Sequence, residues 1–467
     1  MEIFNNVLVK IDDFVWGLPL IIAILVTGIL LTVRLRGVQF SNLGKAFKFI
    51  FKDEEDGTGD VSSFGALCTA LSATIGTGNI VGVATAIVAG GPGALFWMWI
   101  AALLGMATKY AECLLAVHYR EIDNDGHVLG GPFYYIEKGM GKKWTPLAKL
   151  FAFFGTLVGL FGIGTFTQVN GITSAVKNFF DANNSWTVSL FGMEYSWSIV
   201  ISGIIIAVFA ALVIIGGIKR ISKVSEVIVP FMAVIYFVMG ITILLVNFKA
   251  IPGAIVTIVR SAFGLDAVAG GALGAMFIAM QKGVARGIFS NEAGLGSAPI
   301  AAAAARTKEP VRQGLVSMTG TFIDTIIICS ITGIAIVIAG SWNTGLNGVE
   351  VTTDAFQKSL PFLGNIVPFL LMLCLVFFAF TTILGWDYYS EKCVEYLFNG
   401  KQTPVKVFRW LYILAIFIGP YMTISAVWTI ADIFNGLMAI PNIIALIALS
   451  GVVAKLTKEY FSRKKLG

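Results

Sequence analysis

Residues 72–82 read Ser72-Ala73-Thr74-Ile75-Gly76-Thr77-Gly78-Asn79-Ile80-Val81-Gly82. Residues 287–297 read Gly287-Ile288-Phe289-Ser290-Asn291-Glu292-Ala293-Gly294-Leu295-Gly296-Ser297. Each stretch sits near the middle of a long apolar run, and each contains Asn-x-x-Gly, at Asn79/Gly82 and Asn291/Gly294. Glycines and polar side chains that compete for backbone hydrogen bonds lower helix propensity, so several together favour local unwinding. The pattern predicts two broken helices. The alternative reading is that these glycines only let helices pack closely, as small residues do in membranes.

Around these stretches the chain has the composition of a membrane protein. Of its 467 residues, 57% are apolar and 13% charged, with a mean hydropathy of +0.84. Soluble domains carry about 25% charged residues. The net charge of +6 is scattered, so no nucleic-acid partner is expected. The five cysteines lie in or beside apolar runs without a CxxC pair, which predicts neither a disulfide framework nor a zinc site. The first residues carry Glu2, Asp12 and Asp13 against Lys10, unlike a secretory signal, and 14–34 reads as a retained span.

About 20 apolar residues cross the hydrocarbon core as a helix. Eleven stretches qualify: 14–34, 63–91, 93–119, 146–176, 195–217, 222–246, 265–305, 311–341, 363–398, 404–424 and 425–454, the last two divided mainly at Gly419-Pro420. With the N-terminus outside, the segments assigned to the cytoplasm hold 25 of the 33 Lys and Arg residues. That bias predicts a multi-pass cell-membrane protein with its C-terminus in the cytoplasm. Setting the first helix aside, one broken segment opens each set of five. Five is odd, so the sets cross in opposite directions, the arrangement of an inverted repeat with a binding site near the midplane. The expected divisions are 1–62 (extra helix and amphipathic segment), 63–250 and 251–455 (the repeats), and 456–467 (basic tail). Freed N–H groups suit a carboxylate, and freed C=O groups a cation.

Three motifs make the chain resemble the alanine or glycine:cation symporter family: Ala73-Thr74-Ile75-Gly76-Thr77-Gly78-Asn79-Ile80, Gly130-Gly131-Pro132-Phe133-Tyr134-Tyr135-Ile136 and Phe289-Ser290-Asn291-Glu292-Ala293-Gly294. The resemblance covers nearly the whole chain. It implies a leucine-transporter-like all-α fold and sodium-coupled symport of small neutral amino acids, with no organic cofactor. It places substrate at Thr77, Gly78, Asn79, Gln168, Phe289, Ser290, Asn291, Glu292 and Trp386. Sodium would take carbonyls near Ser72, Ile75 and Phe378 and the hydroxyls of Thr381 and Thr382. A proton-coupled carrier, or one for serine or glutamine, is the nearest alternative.

The residues alone leave some of these roles open. Thr381 and Thr382 interrupt an apolar run, and oxygen ligands suit a hard cation, yet threonines also bond back to their own helix. Gln168 could simply join two helices, and Trp386 could be an interfacial anchor beside Asp387, Tyr388 and Tyr389. Asp324 lies near the centre of 311–341. An intramembrane carboxylate costs about 2.5–3.5 kcal/mol unless paired, so it is a candidate for ion coupling or for a gate. The bland alternative is a structural pair of Arg286 with Asp324 or Glu292. Lys109 and Glu112, spaced i, i+3, predict a local ion pair.

Other functional classes fit poorly. The only histidines, His118 and His127, lie at a loop, and there is no HExxH or paired-aspartate arrangement for an enzyme. A channel would need a selectivity ring, which usually comes from several subunits or repeats.

Overall fold

The computed structural model describes residues 2–52, 58–122, 127–190, 192–265 and 271–466. It is almost entirely helical. In chain order come α1 (Glu2–Val15), α2 (Leu18–Arg34), α3 (Val38–Ser41), α4 (Leu43–Ile50), α5 (Ser63–Thr74), α6 (Val83–Gly90) and α7 (Gly93–His118). Then follow α8 (Pro132–Gly139), α9 (Thr145–Phe161), α10 (Phe166–Phe180), α11 (Trp197–Ile214), α12 (Gly217–Val246) and α13 (Ile251–Ala262). The second half holds α14 (Ala272–Asn291), α15 (Ala298–Ala303), α16 (Pro310–Thr321), α17 (Ser330–Ala339), α18 (Val349–Ser359), α19 (Ile366–Leu397), α20 (Gln402–Ile418) and α21 (Ile424–Leu466). Two short antiparallel hairpins, β1–β2 (Glu121–Ile122, Val128–Leu129) and β3–β4 (Thr187–Leu190, Met193–Ser196), lie in loops.

Among the described residues, nine helices are long and apolar enough to cross a membrane, or ten if the bent pair Ser63–Thr74 and Gly78–Gly90 is one span. The pair bends by 49°. α14 carries Gln281, Lys282 and Arg286 and is not among them. Span 146–176 is interrupted between α9 and α10, where Gly162 leaves no room for a side chain: a Cβ there would stand 2.8 Å from the Val158 carbonyl oxygen. Residues 266–270, inside the expected span 265–305, lie outside the described residues.

α7 is the best-buried long helix. It packs along α14 and α16, while α9 packs on α19 and α21. Small residues allow the closest approaches: a Cβ on Gly105 of α7 would come within 2.8 Å of the Ala293 Cβ. All five cysteines are free and buried. At one end of the bundle Arg120 donates to the carbonyls of Thr58, Ala303, Ala305 and Thr307 at 2.6–2.8 Å, tying the end of α15 to the loop before α5.

The second break is shorter than its sequence suggests. α14 stays helical through Asn291, and Glu292 N still donates to Ile288 O at 2.8 Å. Unwinding begins at Glu292, which is left-handed at φ 57°, and runs through Gly294 (φ 92°) and Gly296 (φ 80°). Ser290 and Asn291 do not break the helix because Asp324 and Thr325, in the stretch that follows α16, take up their side chains.

Candidate functional site

The first break leaves α5 at Thr74 and resumes as a π-helical turn, Gly78–Gly82, before α6. Two of its freed N–H groups find side-chain acceptors. Asn79 Oδ1 accepts from Gly76 N at 2.9 Å, and Gln168 Oε1 on α10 accepts from Thr77 N at 3.1 Å. Gln168 therefore serves the break as well as α10, whose Ile163 carbonyl accepts from its amide at 2.9 Å. Thr77 Oγ1 is buried and has no hydrogen-bond partner among the described residues. Gly78 faces α14, where a Cβ would stand 3.2 Å from the Ser290 Cα. The two breaks thus touch.

Asp324 knits them together from a second π-helical stretch, Phe322–Cys329. Its carboxylate accepts from Asn79 Nδ2 at 2.7 Å, Ser290 Oγ at 2.9 Å and Thr325 Oγ1 at 2.7 Å. Asn291 Nδ2 donates to Thr325 Oγ1 at 3.0 Å, and Asn291 Oδ1 accepts from Ala293 N at 2.9 Å. A buried carboxylate survives in apolar surroundings only when hydrogen-bonded. Asp324 therefore does not pair with Arg286, and neither does Glu292. Arg286 pairs with Asp432 of α21 at 2.7 Å. Its guanidinium lies 4.7 Å from the Trp428 ring and 5.5 Å from Phe289, and those two rings stack at 4.9 Å. Trp428 of this cluster also lines a cleft of about 570 Å³, together with Thr85, Asn170, Lys177 and Glu350.

The remaining expected residues divide. Trp386 is buried, and its indole N–H donates to Glu292 Oε1 at 2.7 Å, so it is not an interfacial anchor. Glu292 Oε2 accepts from Ser297 Oγ at 2.6 Å, spanning the second break. Thr382 Oγ1 lies 3.0 Å from Ser72 O, 3.3 Å from Ile75 O and 3.0 Å from Phe378 O. A hydroxyl has one proton to give, so three carbonyl oxygens converge with lone pairs left over. Thr381 turns away, bonding back to Phe377 O and Phe378 O at 3.0 Å beside Met232.

The expected Lys109–Glu112 pair does not form. Glu112 Oε1 instead accepts from Asn442 Nδ2 at 2.5 Å, while Asn442 Nδ2 also donates to Gly294 O at 2.9 Å and Asn442 Oδ1 accepts from Tyr135. Sequence reasoning missed Asp432, Asn442 and Thr325, because each meets a partner on another helix through the fold and none carries a local motif.

Two interrupted helices joined through a buried carboxylate, beside carbonyl oxygens that converge on Thr382, fit a membrane carrier of the leucine-transporter fold. The model of the sodium:alanine symporter family matches residues 1–467, and the chain belongs to that family. It is 48% identical to the sodium/alanine symporter AgcS of Methanococcus maripaludis, over 99% of this chain and 98% of the relative. It is 38% identical to the probable sodium/glutamine symporter GlnT of Bacillus subtilis, over 100% and 92%. Its fold matches the structure of MhsT in complex with L-phenylalanine, with a TM-score of 0.55 over 86% of this chain and 98% of the other at 16% identity. The chain is a transporter and not an enzyme.

Proposed function

We propose that the protein is a sodium-coupled symporter of small neutral amino acids, alanine and glycine, that works by alternating access in the cell membrane. The observation that carries the ion is the convergence of the Ser72, Ile75 and Phe378 carbonyls on Thr382. A hard monovalent cation takes oxygen ligands of this kind, as calcium and magnesium do. The same convergence makes Thr382, rather than Thr381, the hydroxyl ligand on α19. Substrate binds between the breaks, against Thr77, Gly78 and Asn79 on one side and Phe289, Ser290 and Asn291 on the other. The Thr77 hydroxyl, unpartnered among the described residues, suits a carboxylate. Asp324 reads best as the group that couples the breaks, and Gln168, Glu292 and Trp386 as its supports.

The reading extends to topology. With α14–α15 counted as a span, the chain crosses eleven times and residues 63–250 and 251–455 form the two inverted halves. The Lys and Arg bias puts α4 and α8 in the cytoplasm and the 570 Å³ cleft outside. Within the family, the name of the glutamine-linked relative supports a larger neutral substrate as the second reading. Uptake of labelled alanine into proteoliposomes, with sodium and proton gradients imposed separately, tests the proposal. Accumulation driven by the proton gradient alone would overturn the ion assignment, and failure of glycine or alanine to compete with glutamine would overturn the substrate.

A further inference from the structure

Trp16 ties the corner between α1 and α2 to two other helices at once. It is 4% exposed, and its indole N–H donates to the backbone carbonyl of Asp432 on α21 at 2.8 Å. Its own carbonyl accepts from the Gln281 amide of α14 at 3.3 Å. α21 makes room for the corner at Gly436, one turn on from Asp432, where a Cβ would collide with Val15 and stand 3.2 Å from Trp16 Nε1.

A tryptophan beside a membrane helix is ordinarily an interfacial anchor, with its polar edge at the headgroups. Trp16 is buried instead, and its N–H turns inward to a helix carbonyl that has a second lone pair to receive it. The two helices it touches are the two that carry the Arg286–Asp432 pair. Asp432 is therefore held twice, by Trp16 at its backbone and by Arg286 at its carboxylate. The pair needs that register. A hydrogen bond tolerates a shift of a few tenths of an ångström, whereas a helix that slides by one residue moves about 1.5 Å. We propose that Trp16 is a positioning residue of the carrier. The N-terminal corner holds α21 against α14 in the register at which Arg286 meets Asp432, and so governs how fast substrate leaves on the cleft side. Trp16 touches no substrate and acts only through that pair. The inference rests on the carrier reading above, so one of its two tests is read without substrate.

The first test measures release of labelled alanine, in saturating sodium, from the purified full chain. Trp16→Phe keeps a ring and removes the N–H, and losing one such bond should speed release about two- to twelvefold. Asp432→Asn should also speed release. Trp16→Phe added to it should leave the rate unchanged, because groups that act through one pair do not add. A further acceleration as large as in the wild type would show a separate route and overturn the proposal. Unchanged release with a lowered Tm, the mark of a merely structural contact, would overturn it too. If Trp16→Phe is not monodisperse, Gln281→Met, which frees the corner from α14 alone, takes its place with the same expectation. The second test places cysteines at both ends of the pair, Arg286→Cys with Asp432→Cys, and follows their cross-linking by a bifunctional thiol reagent. Adding Trp16→Phe should slow cross-linking by about the same two- to twelvefold, and an equal rate overturns the proposal. A wild type that binds no alanine would sink the substrate reading instead, and the cross-linking rate would still decide this one.

Discussion

Thr381 and Thr382 are neighbours in sequence and differ in what they can hold. Thr382 faces carbonyls of α5 and the first break as well as of its own helix, whereas Thr381 reaches only its own helix carbonyls and Met232. A hydrogen bond to a charged group contributes about 1.5–3 kcal/mol. Each 1.4 kcal/mol is about tenfold in affinity, so Thr382→Val should raise the half-saturating sodium concentration for alanine uptake by about ten- to a hundredfold. Thr381→Val should leave it within about threefold, because only a local bond to its own helix is lost. Equal effects would return both threonines to the ligand shell. Asn79 and Asn291 were legible from their matched places in the two Asn-x-x-Gly breaks, and both fall in the Asp324 network. Asn79→Ala or Asn291→Ala should abolish alanine transport and leave a monodisperse protein. Normal transport by either variant would place the site elsewhere. The pairing of Arg286 was not legible, since its partner lies 146 residues away on a helix whose polar face no local period reveals.

At the scale of elements, the sequence located both breaks but misjudged where the second begins. Glycine and polar content predicted unwinding from Gly287, yet residues 287–291 stay helical because Asp324 and Thr325 satisfy the side chains that would have competed for the backbone. Tertiary hydrogen bonds decided the boundary, and local propensity could not see them. The Gly130–Ile136 motif was noticed without a physical role. In the fold it begins α8 and brings the Tyr135 hydroxyl to Asn442, which holds both Glu112 and the Gly294 carbonyl. The motif thus reaches the second break through one asparagine. Tyr135→Phe leaves Asn442 Oδ1 buried without a donor, at a cost of about 1–3 kcal/mol. If that cost falls on the state in which this end is closed, sodium should bind more weakly although no sodium ligand has changed. The expected result is a rise of about five- to a hundredfold in half-saturating sodium in proteoliposomes. A lowered Tm with unchanged sodium dependence would make the contact purely structural.

At the scale of the whole molecule, the two sides of the site are closed to different depths. Towards α8 the second break is backed by α7, α15 and α21 and by the Arg120 clasp. Towards α18, Phe289 lies against Trp428, which lines the cleft, and Arg286 pairs with Asp432 beside both rings. A carrier must open one side at a time, and the thin side is the cheaper one to move. Arg286 is held by an ion pair and by two aromatic faces, and cation–π contacts of this kind contribute about 0.5–2 kcal/mol each. Asp432→Asn removes the pair and leaves a mostly buried guanidinium without its counter-charge. Breaking a buried pair in this way costs about 3–5 kcal/mol. If the pair parts when this side opens, the loss falls on the occluded state. Alanine should still bind, since no residue of the Asn79–Ser290–Asp324 network is touched, but it should escape outward before the carrier turns over. The expected outcome is alanine binding to purified protein within about tenfold of wild type, with uptake reduced at least about a hundredfold. Exchanging the charges, Arg286→Asp with Asp432→Arg, should restore only part of the uptake, because the aspartate cannot stack on Phe289 and Trp428. Full recovery would show that the ion pair alone closes the site. Binding and uptake falling by the same factor in Asp432→Asn would instead place Asp432 among the groups that hold the substrate.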